Sequence, residues 1–266
     1  ALWGGYRTLE EKKKINLPLI TKIFQQIKDT KGGLRPPQSL VVIKRGASEI
    51  KPGEVIYRPP RGEGVIEKLM ENLVAYLNDD TIYATDPLLK MCIAHYQFEA
   101  IHPFHDGNGR TGRILNLLYL INKKLLSRPV LYLSKYIIQN KDEYYYNLAA
   151  VTQRGSWKGW IMYMLDAVEY TSSLTNELIN EIVKQMEITL DYARKRIKWY
   201  NKDVNEALFS QPYSRPKIIG DTLNKSSRTT LTKYMAELEK AKILTPKKEG
   251  KEVYYLNDDL IRILEK

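Results

Sequence analysis

The sequence is almost without cysteine. Cys92 is the single one in 266 residues, so no internal disulfide can form, and a reducing cytoplasm is the expected location. There are three histidines and no Cys/His cluster of zinc-ligand spacing. No segment reaches the ~18 uninterrupted apolar residues of a membrane-spanning helix, so no membrane partner is expected. A secretory leader, an internal repeat and a low-complexity tract are also missing. The chain begins at Ala1, not at a methionine, and is expected to be a trimmed or partial product. What is present is ordinary for a globular protein: 43% hydrophobic residues and a length that suits one large domain or two smaller ones.

The positive charge is not concentrated on the C-terminal part. The chain has a net charge of +11. Residues 201–266 hold 13 Lys and Arg against 10 Asp and Glu, and residues 1–200 hold 29 against 21. Most of the excess, which favours acidic partners, therefore lies in the first 200 residues.

The densest chemistry lies in His102-Pro103-Phe104-His105-Asp106-Gly107-Asn108-Gly109-Arg110-Thr111-Gly112-Arg113. Ile114, Leu117, Leu118 and Ile121 follow at helical spacing, so a helix is expected from about Gly109–Arg110. Leu88 to Glu99 reads as a helix entered at Pro87. Gly107-Asn108-Gly109 then opens the second helix of a helix–loop–helix corner. There the first N–H groups lack partners and the macrodipole is positive, a place for a diphosphate. His102 is the candidate general base, with an ordinary pKa near physiological pH. Asp106 is the candidate Mg2+ ligand. Arg110 and Arg113, three apart, can share one side of the first turn and hold phosphate oxygens. Phe104 is expected to anchor the loop, and His95 and His105 are expected to be structural.

The dodecamer matches HPFx(D/E)GNGRxxR, and the chain resembles bacterial Fic proteins, a family of protein adenylyltransferases. The lead-in Ala94-His95-Tyr96-Gln97-Phe98-Glu99 extends the likeness, as do Leu131-Tyr132-Leu133-Ser134, Asn140, Glu143-Tyr144-Tyr145 and Gly155-Ser156-Trp157-Lys158-Gly159-Trp160. The resemblance implies ATP as substrate, Mg2+ as cofactor, and a target protein with a Tyr, Ser or Thr acceptor hydroxyl. It makes His102 the base, Asp106 the metal ligand, and Gly107, Asn108 and Gly109 the anion hole. Arg110 and Arg113 hold the phosphates. The Doc-type kinase and phosphocholine-transferring departures from the loop are not present, so AMP transfer, including self-modification, is expected. Transfer of another nucleotide or removal of AMP stays open. Tyr144 and Tyr145 either border the adenine or pack in the core.

Glu54-Val55-Ile56-Tyr57-Arg58-Pro59-Pro60 reads as a short strand ended by prolines. The resemblance implies a flap at about 53–62, with Val55, Ile56 and Tyr57 docking the target as an added strand. A plain surface hairpin is the alternative. Upstream, Gly32-Gly33-Leu34-Arg35-Pro36-Pro37-Gln38 keeps the family's Arg and Gln but lacks the Trp that often follows.

The expected fold is mostly α: a Fic-type helical core with a small β-hairpin flap over residues 1–170, a connecting helix over 171–200, and a winged helix-turn-helix over 201–266. Leu174, Leu178, Ile182, Met186, Leu190, Ala193 and Ile197 place one stripe along the connector. Asn205–Phe209, Lys217–Leu223 and Ser226–Lys240 read as helices, and Ile243–Thr245 and Val253–Leu256 as strands. In that reading Arg228, Thr229, Thr232 and Lys233 face a DNA groove or a protein partner, and Lys247, Lys248 and Lys251 sit on the wing turn. A DNA-binding regulator with the first domain as nucleotide sensor is the rival function, and a homodimer stays open.

Many Fic proteins carry an inhibitory helix of pattern (S/T)xxxE(G/N). Thr245-Pro246-Lys247-Lys248-Glu249-Gly250 fits it literally but is expected in the wing turn. Ala1-Leu2-Trp3-Gly4-Gly5 resembles the segment just after that helix, so the inhibitory segment is expected upstream of this chain or on a partner.

Overall fold

The computed structural model describes the whole chain apart from residues 46–53, 83, 226, 251 and 266. Its contacts divide it into two units, Ala1–Ser172 and Ser173–Lys266. The division falls inside one helix. Among the described residues no helix is long and apolar enough to cross a membrane.

The first unit is built on helices α1 (Leu2–Lys12), α2 (Leu17–Lys28), α3 (Val65–Asn78), α4 (Pro87–Ile101), α5 (Asn108–Asn122), α6 (Leu133–Gln139) and α7 (Lys141–Arg154). The start of α8 (Trp157–Arg194) completes it. Helix α4 is central. Asp86 caps it by accepting from the N–H groups of Leu88 and Leu89, and Pro87 fits its first turn, where no N–H is needed. Met91, Cys92, Ala94, Phe98 and Ile101 are all buried along it, as a helix enclosed by its neighbours requires. Phe104 is fully buried and stacks on Phe24 of α2, with ring centroids 4.0 Å apart. That contact anchors the loop between α4 and α5.

Strands β1 (Ile43–Arg45) and β2 (Glu54–Tyr57) form an antiparallel pair with Ile43 opposite Tyr57 and a register irregularity between Ile43 and Lys44. Strand β2 falls where a strand was expected, and its partner β1 was not read from the sequence. Gly53 lies outside the described residues.

The second unit takes the rest of α8, then α9 (Lys202–Phe209), β3 (Tyr213–Ser214), α10 (Pro216–Leu223), α11 (Arg228–Lys240), β4 (Thr245–Glu249), β5 (Glu252–Leu256) and α12 (Asp258–Leu264). The three strands lie in the order β3-β5-β4, antiparallel throughout. Ala193, Ile197, Tyr200, Val204, Leu208, Ile219, Met235, Leu238 and Leu244 form a separate core.

Three expectations are corrected. Helix α8 ends at Arg194, so Ile197 is not on it. The chain turns there, with the Ile197 N–H donating to the Ala193 carbonyl at 2.8 Å, and carries Ile197 and Tyr200 into the second core. A spacing of four fits a turn as well as a helix. Next, Pro246 to Glu249 belong to β4, not to a turn. An edge strand tolerates a residue without N–H, and β4 is at the edge of its sheet. Lys247, Lys248 and Glu249 are therefore exposed strand residues, and the literal inhibitory pattern is not on a helix. Finally, β3 and α12 were not read at all. Lys251 and Ser226 lie outside the described residues.

Candidate active site

Helix α4 stops at His102 because that residue adopts a left-handed backbone, φ 50°, and its N–H bonds back to the Phe98 carbonyl. A non-glycine residue there is strained and must be held. Arg35 holds it. The guanidinium is 2% exposed; its Nε donates to the His102 carbonyl at 2.8 Å, and Nη2 donates to Ile101 and Pro60 carbonyls at 3.2 and 2.5 Å. One buried cation thus joins the end of α4 to the segment that follows β2. The His102 imidazole places Nδ1 3.3 Å from the Glu99 carbonyl. If Nδ1 carries the proton, Nε2 is left as an acceptor. Burial, more than any neighbour, pulls the His102 pKa down to about 4, so the ring is neutral near pH 7.

Gly107 turns the loop into α5 with φ 82°, where a side chain would be strained. Its carbonyl receives both the N–H and the hydroxyl of Thr111 at 3.0 Å. Asn108, one of the three residues expected at the anion hole, turns its side chain inward. It accepts from the Phe104 N–H at 2.9 Å and donates to the Phe104 carbonyl at 2.8 Å. Only its backbone faces the loop as a donor. The free N–H groups of the first turn of α5 remain the positive feature there.

The two arginines part company. Arg113 lines a cavity of about 340 Å³ together with Glu99, His102, Gly109, Tyr144 and Tyr145. Its Nε donates to Ser134 Oγ on α6 at 2.7 Å. Arg110 is not among the cavity residues; its side chain is exposed, with Nη2 4.0 Å from Asp106. Asp106 is also exposed. Its carboxyl is held below the usual range by Lys28 first and by the Gly107 N–H second. Among the described residues no three His, Cys, Asp or Glu side chains converge on a metal.

Tyr144 is buried and its hydroxyl meets His95 Nε2 at 3.1 Å, while Tyr145 is half-buried at the cavity. His95 lies stacked on Trp160 and is pushed down to about 3 by burial, a neutral core residue. His105 is exposed. Ile43 of β1 borders the same cavity. On β2, Val55 is exposed and Tyr57 half-buried, while the Ile56 side chain is outside the described set. In the second unit Arg228, Thr229, Thr232 and Lys233 are all exposed on α11.

Four site residues were missed. Arg35 and Ser134 were quoted only as parts of family stretches, and Lys28 was not noticed. Glu99 was quoted as lead-in alone, yet its carboxyl is buried, one oxygen has no hydrogen-bond partner among the described residues, and burial pushes its pKa up to about 7. Gly112 is needed beside it: a Cβ there would stand 2.7 Å from Glu99 Oε1 and 3.0 Å from the Phe98 ring.

Residues 9–120 match the Fic/DOC family, and residues 176–260 match the family described as the C-terminal domain of SoFic-like protein adenylyltransferases. The chain thus carries a Fic/DOC domain followed by a domain of the SoFic-like C-terminal type. Protein adenylyltransferase fic-1 of Caenorhabditis briggsae is 36% identical over 108 residues, which are 41% of this chain and 20% of that protein. Protein adenylyltransferase Fic of Aedes aegypti is 31% identical over 128 residues, 46% of this chain and 24% of that protein. The chain thus matches only about a quarter or less of these relatives' length. A crystal structure of a Fic family protein from Desulfovibrio desulfuricans aligns over 96% of this chain and 72% of that one, with a TM-score of 0.52 and 20% identity. That likeness is one of fold.

Proposed function

We propose that this Fic protein transfers AMP from ATP to a side-chain hydroxyl of a target protein, in the presence of Mg2+. The observation that carries the reading is one cavity in which a neutral histidine, His102, faces the N-terminal turn of α5 and the guanidinium of Arg113. The histidine can take a proton and the helix end with its arginine can hold polyphosphate. In this reading His102 removes the acceptor proton, the hydroxyl oxygen bonds to the α-phosphorus, and the bond to the pyrophosphate oxygen breaks. Arg113 and the N–H groups of Gly109 and its neighbours bind the negative oxygens, and Arg110 reaches them from outside the cavity. Tyr145 borders the adenine, with Tyr144 behind it.

Asp106 suits Mg2+, because this ion needs only one or two carboxylates beside phosphate oxygens and keeps several waters. An exposed carboxylate beside the first turn of α5, already drawn to positive charge, meets that demand. Bound there, the ion would neutralise phosphate charge. Strand β2 supports target docking by strand addition, since among the described residues it pairs with β1 alone and Val55 is exposed.

The test is His102→Ala. Radiolabelled AMP transfer, with the target or to the protein itself, should fall by about 10²–10⁴-fold, the contribution of a general base. Calorimetric ATP affinity should stay within a few-fold. In the wild type the rate should hold as pH falls to about 5 and drop below that, as His102 gains its proton. Near wild-type transfer by the variant would remove His102 from the mechanism. Intact mass after incubation with each nucleoside triphosphate identifies the transferred group.

A further inference from the structure

Asp106 already has a cation beside it. Lys28 closes α2, and its Nζ lies 2.5 Å from Asp106 Oδ2, its one hydrogen bond among the described residues. The stem of Lys28 crosses Gly107: a Cβ on that glycine would meet Lys28 Cγ and Cδ at 3.3 Å. The lysine is therefore laid along the loop, its carbons on backbone and its charge on the carboxylate. The other Asp106 oxygen accepts from the Gly107 N–H at 2.6 Å, and Arg110 is more distant, at 4.0 Å. Both side chains of the pair are partly exposed, so water and ions reach it.

We infer that Lys28 is a stand-in cation for Asp106: it neutralises the carboxylate when no metal–nucleotide is bound, and gives up Oδ2 when the metal arrives. This rests on the reading of Asp106 as the Mg2+ ligand. A bare carboxylate beside the α5 turn would repel polyphosphate. The ammonium cancels that repulsion in one state and the divalent ion in the other. Lysine suits the exchange, being a compact charge on a flexible stem. Two cations on one oxygen repel each other, so one leaves as the other binds. The two effects have opposite signs. Lys28 favours ATP without metal and opposes the metal with ATP, and so weakens the coupling between Mg2+ and nucleotide.

The experiment is calorimetric ATP binding by the full chain, in EDTA and in Mg2+, for wild type, K28M, K28R, D106N and the K28M/D106N double variant. K28M should bind ATP weaker in EDTA and tighter in Mg2+, by about two- to five-fold each way, the range of a partly exposed ion pair. K28R keeps the charge, so it should keep the ATP affinity in EDTA and guards against a folding defect; its planar fork holds the carboxylate more firmly, so its Mg2+ enhancement should not exceed that of wild type. D106N should lose the Mg2+ enhancement in both backgrounds. Weaker binding of K28M in both buffers would make Lys28 a phosphate contact, and unchanged binding in both would make it a bystander. Either result overturns the inference while leaving the metal assignment standing. Persistent Mg2+ enhancement in D106N overturns the metal assignment, and the inference with it.

Discussion

The first unit buries Arg35, Lys90, His95 and Glu99, whereas the polar side chains buried in the second are uncharged: Thr189, Asn205, Ser214 and Asn257. The two carry different costs. A buried charge destabilises by several kcal/mol unless bonded, while a buried amide needs only its hydrogen bonds. In the second unit the amides have them. Asn205 donates to the Met186 carbonyl and accepts from Tyr200, and Asn257 ties β5 to α9. In the first unit three of the four ionisable groups surround one place, the junction of α4 and α5. Lys90 is the exception, since it bonds the Asp79 carbonyl and Asp80 far along the chain from the motif. Buried ionisable groups here mark where the fold accepts strain to hold chemistry.

Arg35→Met gives the largest expected stability effect, because it tests whether that charge is structural as well as positional. Methionine fills much of the volume but leaves the carbonyls of Ile101, His102 and Pro60 without their donor. Each unmet buried acceptor costs about 1–3 kcal/mol, so a loss of about 3 kcal/mol or more is expected in chemical denaturation of the first unit. AMP transfer should fall more than ATP affinity, as His102 loses its support. A variant as stable as wild type would show that the left-handed His102 holds itself.

Much of this site was legible and part was not, for a physical reason. The motif is contiguous, so one loop and one helix start present His102, Asp106, Gly107 and Arg113 together. Arg35, Ser134 and Lys28 reach it from 67, 21 and 78 residues away, in each case counted to the residue they bond. No local pattern encodes those meetings. The inward turn of Asn108 was hidden for another reason: an amide beside two glycines reads as loop chemistry, and only the buried position of Phe104 shows where it bonds. In the second unit α9, α10 and α11 were read because their caps and apolar spacing are local, while the short α12 was not. Strand β4 was misread because Pro246 signals a turn unless the strand is known to be an edge, which is a property of the whole sheet.

Glu99→Gln probes the cost of the buried carboxyl. Its folded pKa, raised to about 7 from 4.5, means that the folded state binds more protons than the unfolded one between those values. Its contribution to stability is therefore present below about pH 4.5 and lost as pH rises through about 7. The neutral glutamine avoids that loss. The variant should match wild type near pH 5 and exceed it near pH 8 by up to about 3 kcal/mol, reading the shift at about 1.4 kcal/mol per unit. His95 and His102 act in the opposite direction. Their lowered values take stability away as pH falls below about 6.5, in both proteins alike, so the difference between the two curves isolates Glu99. Parallel curves would mean that Arg113 keeps the carboxylate ionised and comfortable.

The smallest effect is expected where the second unit repeats the motif's device without its chemistry. Asn257 uses its side chain as Asn108 does, holding backbone at both ends. Its Oδ1 caps α12 by accepting from the Leu260 N–H at 3.0 Å, and its Nδ2 donates to the Leu208 carbonyl of α9 at 3.1 Å. The residue is 3% exposed, so water cannot replace either bond readily. Asn257→Ala removes a helix cap, worth about 1 kcal/mol, and orphans one carbonyl at about 1–2 kcal/mol more. Hydrogen exchange should therefore quicken in α9 and α12. The polar group lost is neutral, so this destabilisation should be the same at pH 5 and pH 8, whereas the effect of Glu99→Gln changes with pH. A loss that varied with pH would show an ionisable group buried beside Asn257, and would end the contrast between a charged first core and an uncharged second one.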